Sequence, residues 1–83
     1  MGLLNFLKEI FSGSEAAFKR LTPELIKEKK KKLSPQGYAK WLRREITYYV
    51  AILIEVREKG DSVPQDWIDK IEMLKKELTE LHY

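Results

Sequence analysis

Residues 34–83 read SPQGYAKWLRREITYYVAILIEVREKGDSVPQDWIDKIEMLKKELTELHY, and this stretch decides the fold. Ser34-Pro35 is a helix start signal, with serine as the N-cap and proline at the first helical position. Gly60 suits the end of the same helix, because glycine adopts the left-handed backbone of a C-terminal cap without steric penalty. These signals predict one long helix over about 35–59.

The apolar residues of this segment repeat at helical spacing. They step by four or three along one face: Tyr38, Leu42, Ile46, Tyr49, Leu53 and Val56. A strand over residues 46–56 is the competing interpretation, since this run is rich in β-branched and aromatic residues. We favour the helix, because no second strand-like run exists to pair with a strand here.

A second long helix follows a short connection. Ser62 and Gln65 form a predicted capping box around Pro64, which starts a helix over about 64–81. Its apolar residues alternate steps of four and three, as in a helix that packs on another helix: Trp67, Ile71, Leu74, Leu78 and Leu81. Since the connection is short, the two helices should lie antiparallel as a helical hairpin.

Short helices are predicted before the hairpin. Gly2–Phe11 has an amphipathic pattern, Ser12 or Ser14 can cap a second helix through Leu21, and Thr22-Pro23 opens a third that ends near Leu33. The sequence therefore predicts an all-α protein, a single domain overall. Residues 1–33 form an amphipathic helix and a basic helical arm, and residues 34–83 form the hairpin core.

The charge of the chain is divided between its two parts. Through Arg44 there are eleven Lys or Arg against four acids, net +7, and from Glu45 onward five against nine, net −4, which together make +3. Lysine and glutamate are abundant while asparagine and glutamine are rare and cysteine is absent, a bias typical of heat-adapted proteins. The lack of cysteine is compatible with a cytoplasmic location.

No residue pattern indicates catalysis. His82 is the only histidine and lies next to the chain end, and the carboxylate pairs Asp66/Asp69 and Glu77/Glu80 are more typical of a solvated helix face than of a metal or acid–base site. No phosphate loop or nucleophile motif is present. We expect a protein that is not an enzyme, with no metal, cofactor or small-molecule substrate.

The basic residues are the leading functional signal. The predicted nucleic-acid-binding set comprises Lys27, Lys29, Lys30, Lys31, Lys32, Lys40, Arg43 and Arg44. Such a cluster neutralises phosphates without reading bases. The competing interpretation is a solvated lysine-rich helix. Tyr38 and Trp41 lie close to these cations, but their spacing places them with the apolar face, so we expect both in the core.

The amount of apolar surface on the long predicted helix is the second functional signal. Residues 48–54 are apolar around the whole helix for two turns, which one neighbouring helix does not enclose. The predicted partner interface comprises Leu3, Leu4, Phe6, Leu7, Ile10, Phe11, Tyr48 and Ile52. The N-terminal helices, a second copy of the chain or a different protein can cover the rest of this surface. We expect a protein partner or a homo-oligomer, consider nucleic acid as a further ligand, and favour partner docking or self-packing over membrane binding.

These signals lead to one functional expectation and one alternative. The first is an accessory or architectural subunit of a nucleic-acid-handling assembly. The alternative is a structural helical adaptor or self-assembling subunit, whose lysines keep it in solution. Its N-terminal amphipathic helix would dock on a partner or, as the less favoured option, on a membrane surface.

Overall fold

The computed structural model describes residues 13–81, and within this range the chain forms helices and no strand. Helix α1 comprises residues 13–20, α2 Pro23–Lys32, α3 Pro35–Glu58 and α4 Gln65–Leu81. The prediction of an all-α fold with a long helix pair after short helices is confirmed, and the strand alternative is wrong. The predicted helix Gly2–Phe11 and the residues named within it lie outside the described range, as do Ser12 and His82.

The two predicted Ser/Thr-Pro start signals are confirmed by their hydrogen bonds. Thr22 Oγ1 accepts from the Leu25 backbone N–H at 3.1 Å, and Ser34 Oγ accepts from that of Gly37 at 3.1 Å. Each bond satisfies a backbone donor that the first helical turn leaves without an intrahelical acceptor. A cap of this kind stabilises a helix by about 1 kcal/mol.

Gly60 terminates α3 as predicted. Its backbone has φ +85°, and its N–H donates to the Arg57 carbonyl at 3.0 Å, while the Asp61 N–H donates to the Val56 carbonyl at 3.2 Å. These two bonds form a Schellman motif, which requires a left-handed residue at this position. The chain reverses here, and α4 packs back along α3.

The start of α4 differs from the prediction. The helix begins at Gln65, so Ser62 lies too far upstream to be its N-cap, and the capping box is wrong. The Gln65 side-chain amide instead donates to Asp69 Oδ1 at 3.0 Å, one turn ahead. The Trp67 N–H donates to the Pro64 carbonyl at 3.1 Å, which closes the first turn without a side-chain cap.

The core draws residues from all four helices. It contains Ala17, Phe18, Leu21, Ile26, Tyr38, Leu42, Tyr49, Val56, Trp67, Ile71 and Leu74. Partly buried residues pack against it, among them Trp41, Ile46, Leu53, Leu78 and Leu81. The apolar faces predicted for α3 and α4 are therefore confirmed, and so is the placement of Tyr38 and Trp41 with the core. No helix of the described residues is long and apolar enough to cross a membrane.

Helix α1 is held on the hairpin by one aromatic side chain and two hydrogen bonds. The Phe18 ring lies 4.5 Å from the Trp67 ring and 4.6 Å from that of Tyr49, measured between centroids. Tyr49 donates its hydroxyl to the Ala17 carbonyl at 2.9 Å, and Lys70 Nζ donates to the Phe18 carbonyl at 2.6 Å. These contacts fix the position of the residues at the end of α1.

Candidate nucleic-acid interface

An open groove of about 810 Å³ lies where the end of α1 and the first turn of α2 meet the middle of α3. It is lined by three arginines, two tyrosines, one acid and two other residues: Arg20, Arg43, Arg44, Tyr48, Tyr49, Glu45, Leu25 and Thr47. We refer to it as the arginine groove. Its cations come from two helices that are distant in sequence.

Helical spacing explains how α3 contributes to the groove. Arg43 and Thr47 are four residues apart, as are Arg44 and Tyr48, so each pair shares one side of the helix. The Thr47 hydroxyl donates to the Arg43 carbonyl at 2.9 Å, which engages its proton within the helix. Tyr48 remains 52% exposed, whereas Tyr49 turns inward and is 5% exposed.

Arg20 is the one arginine of the groove that the predicted nucleic-acid-binding set does not include. It is exposed, while its neighbour Leu21 is fully buried and anchors the end of α1. The pair Lys19-Arg20 is a weak sequence signal, because two adjacent cations do not indicate which other helix they will face. Packing of α1 on α3 and α4 places Arg20 beside Arg43 and Arg44.

The pKa of the Tyr49 hydroxyl depends on burial and on charged side chains that line the arginine groove. Burial, the charge of Glu45 and the neighbouring Tyr48 together raise the pKa of Tyr49 to about 12, although Arg20 opposes the shift. Tyr49 is therefore protonated at neutral pH and keeps its hydrogen bond to the Ala17 carbonyl. The opposing effect of Arg20 shows that its guanidinium lies within electrostatic range of this ring.

Among the described residues of the groove lining, Glu45 is the only acidic side chain. Its pKa is raised because burial disfavours the carboxylate, and the nearby charges of Arg44 and Lys29 oppose the shift. Lys29 of α2 thus lies close enough to act on the groove. In the part of the lining that residues 13–81 provide, three arginines against one carboxylate give a net positive charge, which favours anionic ligands such as phosphates.

The structure distributes the predicted basic set over several surfaces. Arg43 and Arg44 line the groove, and Lys29 lies near its carboxylate. Lys31 and Lys40 are exposed. Lys32 is paired with Glu28 on its own helix, Nζ to Oε1 at 2.7 Å, and this contact lowers the pKa of Glu28. The set does not form one continuous face.

Two lysines of α2 face the acidic helix α4. Lys30 Nζ lies 3.7 Å from Glu77 Oε1, and Lys27 lines a shallow cleft with Glu77 and Glu80. Glu77 also accepts a hydrogen bond from the Tyr38 hydroxyl at 3.0 Å. Lys27 and Lys30 therefore lie near carboxylates of α4, while both lysines remain exposed.

A second, apolar groove of about 230 Å³ lies between α3 and α4. Its lining combines five aliphatic residues with three charged ones: Val50, Leu53, Ile54, Ile68, Ile71, Arg57, Glu72 and Lys75. Ile54 is 52% exposed, as is Tyr48, while Ile52 is half-buried. Within the described residues, part of the apolar segment 48–54 is therefore exposed, and the partner interface stays a prediction.

Comparison of the chain with models of protein families, with curated proteins and with solved structures finds no match. The two grooves are therefore the basis for inferring function.

Proposed function

We propose that this protein is a small, non-enzymatic nucleic-acid-binding subunit that contacts the phosphate backbone through the arginine groove. The observation that carries the proposal is the convergence of Arg20, Arg43 and Arg44 on one concave surface. In this role the protein acts as an accessory or architectural component of a nucleic-acid-handling assembly.

The chemistry of arginine supports this assignment. A guanidinium is planar and always charged, and its donors match the geometry of phosphate oxygens in a two-point contact. Lys29 adds a further cation near the groove. Helix α4 carries five acids against three lysines, so it repels a phosphate backbone and favours binding on the side of α2 and α3.

The proposal predicts that the double substitution Arg43→Gln/Arg44→Gln weakens nucleic-acid binding by roughly tenfold for each arginine, since a charge-assisted hydrogen bond contributes at least about 1.5 kcal/mol. Binding should be measured by fluorescence anisotropy with labelled duplex DNA, single-stranded DNA and structured RNA over a salt series. On duplex DNA the log–log salt slope should become less steep by about 0.9 for each phosphate that the variant no longer neutralises.

The matched control is Lys75→Gln/Lys76→Gln on α4, which removes the same charge from exposed positions outside the arginine groove. This variant should bind nearly as well as the parent protein. Equal weakening by both double variants would contradict a specific groove and leave only a general charge effect. No binding to any of the three nucleic acids at low salt would overturn the proposal.

The apolar groove favours a second candidate function, a self-assembling adaptor. A symmetric dimer uses the same surface on both copies, so that surface must be self-complementary. Two features of the apolar groove favour such a use: Ile54 is exposed among the aliphatic lining residues, and the lining carries charges of both signs, Arg57 and Lys75 with Glu72. A second copy of the chain is the occupant that satisfies both features.

For this candidate we expect the parent protein to sediment as a dimer at micromolar concentration and Ile54→Glu to sediment as a monomer, because a buried unpaired carboxylate opposes association. The control is Leu33→Glu, which adds the same charge at a position that is 37% exposed and outside both grooves. A parent protein that remains monomeric in analytical ultracentrifugation would exclude self-assembly by this surface.

A further inference from the structure

We infer that the arginine groove takes single-stranded nucleic acid and stacks one unpaired base on Tyr48; this inference rests on the proposed function. The two tyrosines of the groove differ in exposure. Tyr49 belongs to the core and uses its hydroxyl to hold α1, whereas Tyr48 is 52% exposed within a lining that also contains three arginines.

The position of Tyr48 suits a stacking surface. Its ring centroid lies 5.1 Å from that of Tyr49 at an interplanar angle of 76°, so a buried ring supports it from one side. Arg44 precedes it by one helical turn on the same side of α3. A base that stacks on the Tyr48 ring would therefore have guanidinium groups nearby to bind the phosphates of the same strand.

A duplex can contact the arginines through its phosphates, but it does not offer a base face to Tyr48. In a double helix the faces of the bases are covered by their neighbours, so an exposed aromatic ring gains a stacking contact only where bases are unpaired. The groove volume of about 810 Å³ also lies within the range of sites that hold compact ligands, about 300–1,000 Å³.

The contacts that carry the inference, a base face on Tyr48 and phosphates on the arginines, do not involve the 2′ position of the sugar. The ligand chemistry is therefore an unpaired base on a sugar–phosphate chain, which DNA and RNA share. Binding experiments with oligodeoxythymidylate and oligouridylate of equal length distinguish DNA from RNA as the ligand. Tighter binding of either one than of a duplex of equal length supports the inference.

The test compares Tyr48→Ala with Tyr48→Phe by fluorescence anisotropy on these single strands and on the duplex. Since stacking contributes about 1–3 kcal/mol per base, Tyr48→Ala should weaken single-strand binding by about fivefold to 150-fold. The affinity for the duplex should change by less than about twofold, which corresponds to roughly 0.4 kcal/mol of binding free energy. Tyr48→Phe keeps the aromatic face and should bind single strands like the parent protein.

A spectroscopic measurement separates stacking from a merely structural effect. An oligonucleotide with 2-aminopurine should lose fluorescence on binding to the parent protein and to Tyr48→Phe, but not on saturation with Tyr48→Ala. Circular dichroism should show the same helix content for all three proteins, because Tyr48 is exposed.

The outcomes distinguish this inference from the proposed function. Suppose Tyr48→Ala weakens single-strand and duplex binding equally, or weakens neither, while Arg43→Gln/Arg44→Gln still binds more weakly than the parent protein. The stacking role is then overturned and the proposed function stands. If the parent protein binds no nucleic acid at low salt, both are overturned.

Discussion

Phe18→Ala is expected to lower the free energy of unfolding by about 3–5 kcal/mol, the cost of truncating a buried aromatic residue. Phe18 is 1% exposed, and its ring contacts Trp67 of α4 and Tyr49 of α3. Truncation leaves a cavity between three helices and removes two ring contacts. For a chain of 83 residues this is a large part of a total stability of about 5–15 kcal/mol.

Urea denaturation followed by circular dichroism measures this effect, and Tyr48→Ala is the matched control because it truncates an aromatic residue that is 52% exposed. The control should change stability far less. Equal denaturation midpoints for the two variants would contradict the placement of Phe18. A functional consequence is also expected, since loss of the Phe18 anchor loosens α1 and with it Arg20, which should weaken binding at the groove.

Leu74→Ala is expected to cost about 2–5 kcal/mol, because truncation of a buried leucine removes transfer free energy and leaves a cavity. Leu74 has no exposed surface and lies in the apolar face of α4 that packs in the core with Leu42 and Tyr49. The expected effect is global unfolding at lower denaturant concentration, since this residue belongs to the hairpin itself.

Leu33→Ala is the control for Leu74→Ala, because it removes the same atoms at a position that is 37% exposed. Both variants should be followed by far-UV circular dichroism and by tryptophan fluorescence. A Leu74→Ala protein as stable as the Leu33→Ala protein would show that α4 does not pack along α3 as described. A lower denaturation midpoint by tryptophan fluorescence alone would place the effect near Trp41 or Trp67 rather than across the hairpin.

The sequence by itself determined the helices of residues 13–81 and the faces that they bury. Thr22 and Ser34 start helices because their side chains bond to backbone N–H groups only three residues away. Gly60 ends α3 because the left-handed turn is a local requirement. Apolar spacing likewise identified the residues from Trp67 to Leu81 that pack in the core. All of these signals act over one or two helical turns.

Some sequence signals did not predict the local structure correctly even over a few residues. The capping box at Ser62 was wrong because Gln65 is the first helical residue and its amide bonds forward to Asp69. A side chain with both donor and acceptor groups has several partners within reach, and the sequence does not rank them. The uniform run of lysines in α2 posed a similar problem, because only their neighbours on other helices distinguish one lysine from the next.

Tertiary structure alone decided which of these residues form a site. Packing of α1 through Phe18 brings Arg20 to Arg43 and Arg44, and packing of α2 turns Lys30 toward Glu77. It also leaves the Tyr48 side of α3 open while Tyr49 is buried. The physical reason is that helical periodicity fixes the angle between side chains on one helix. Which side of that helix a second helix covers depends instead on contacts between residues far apart in the chain.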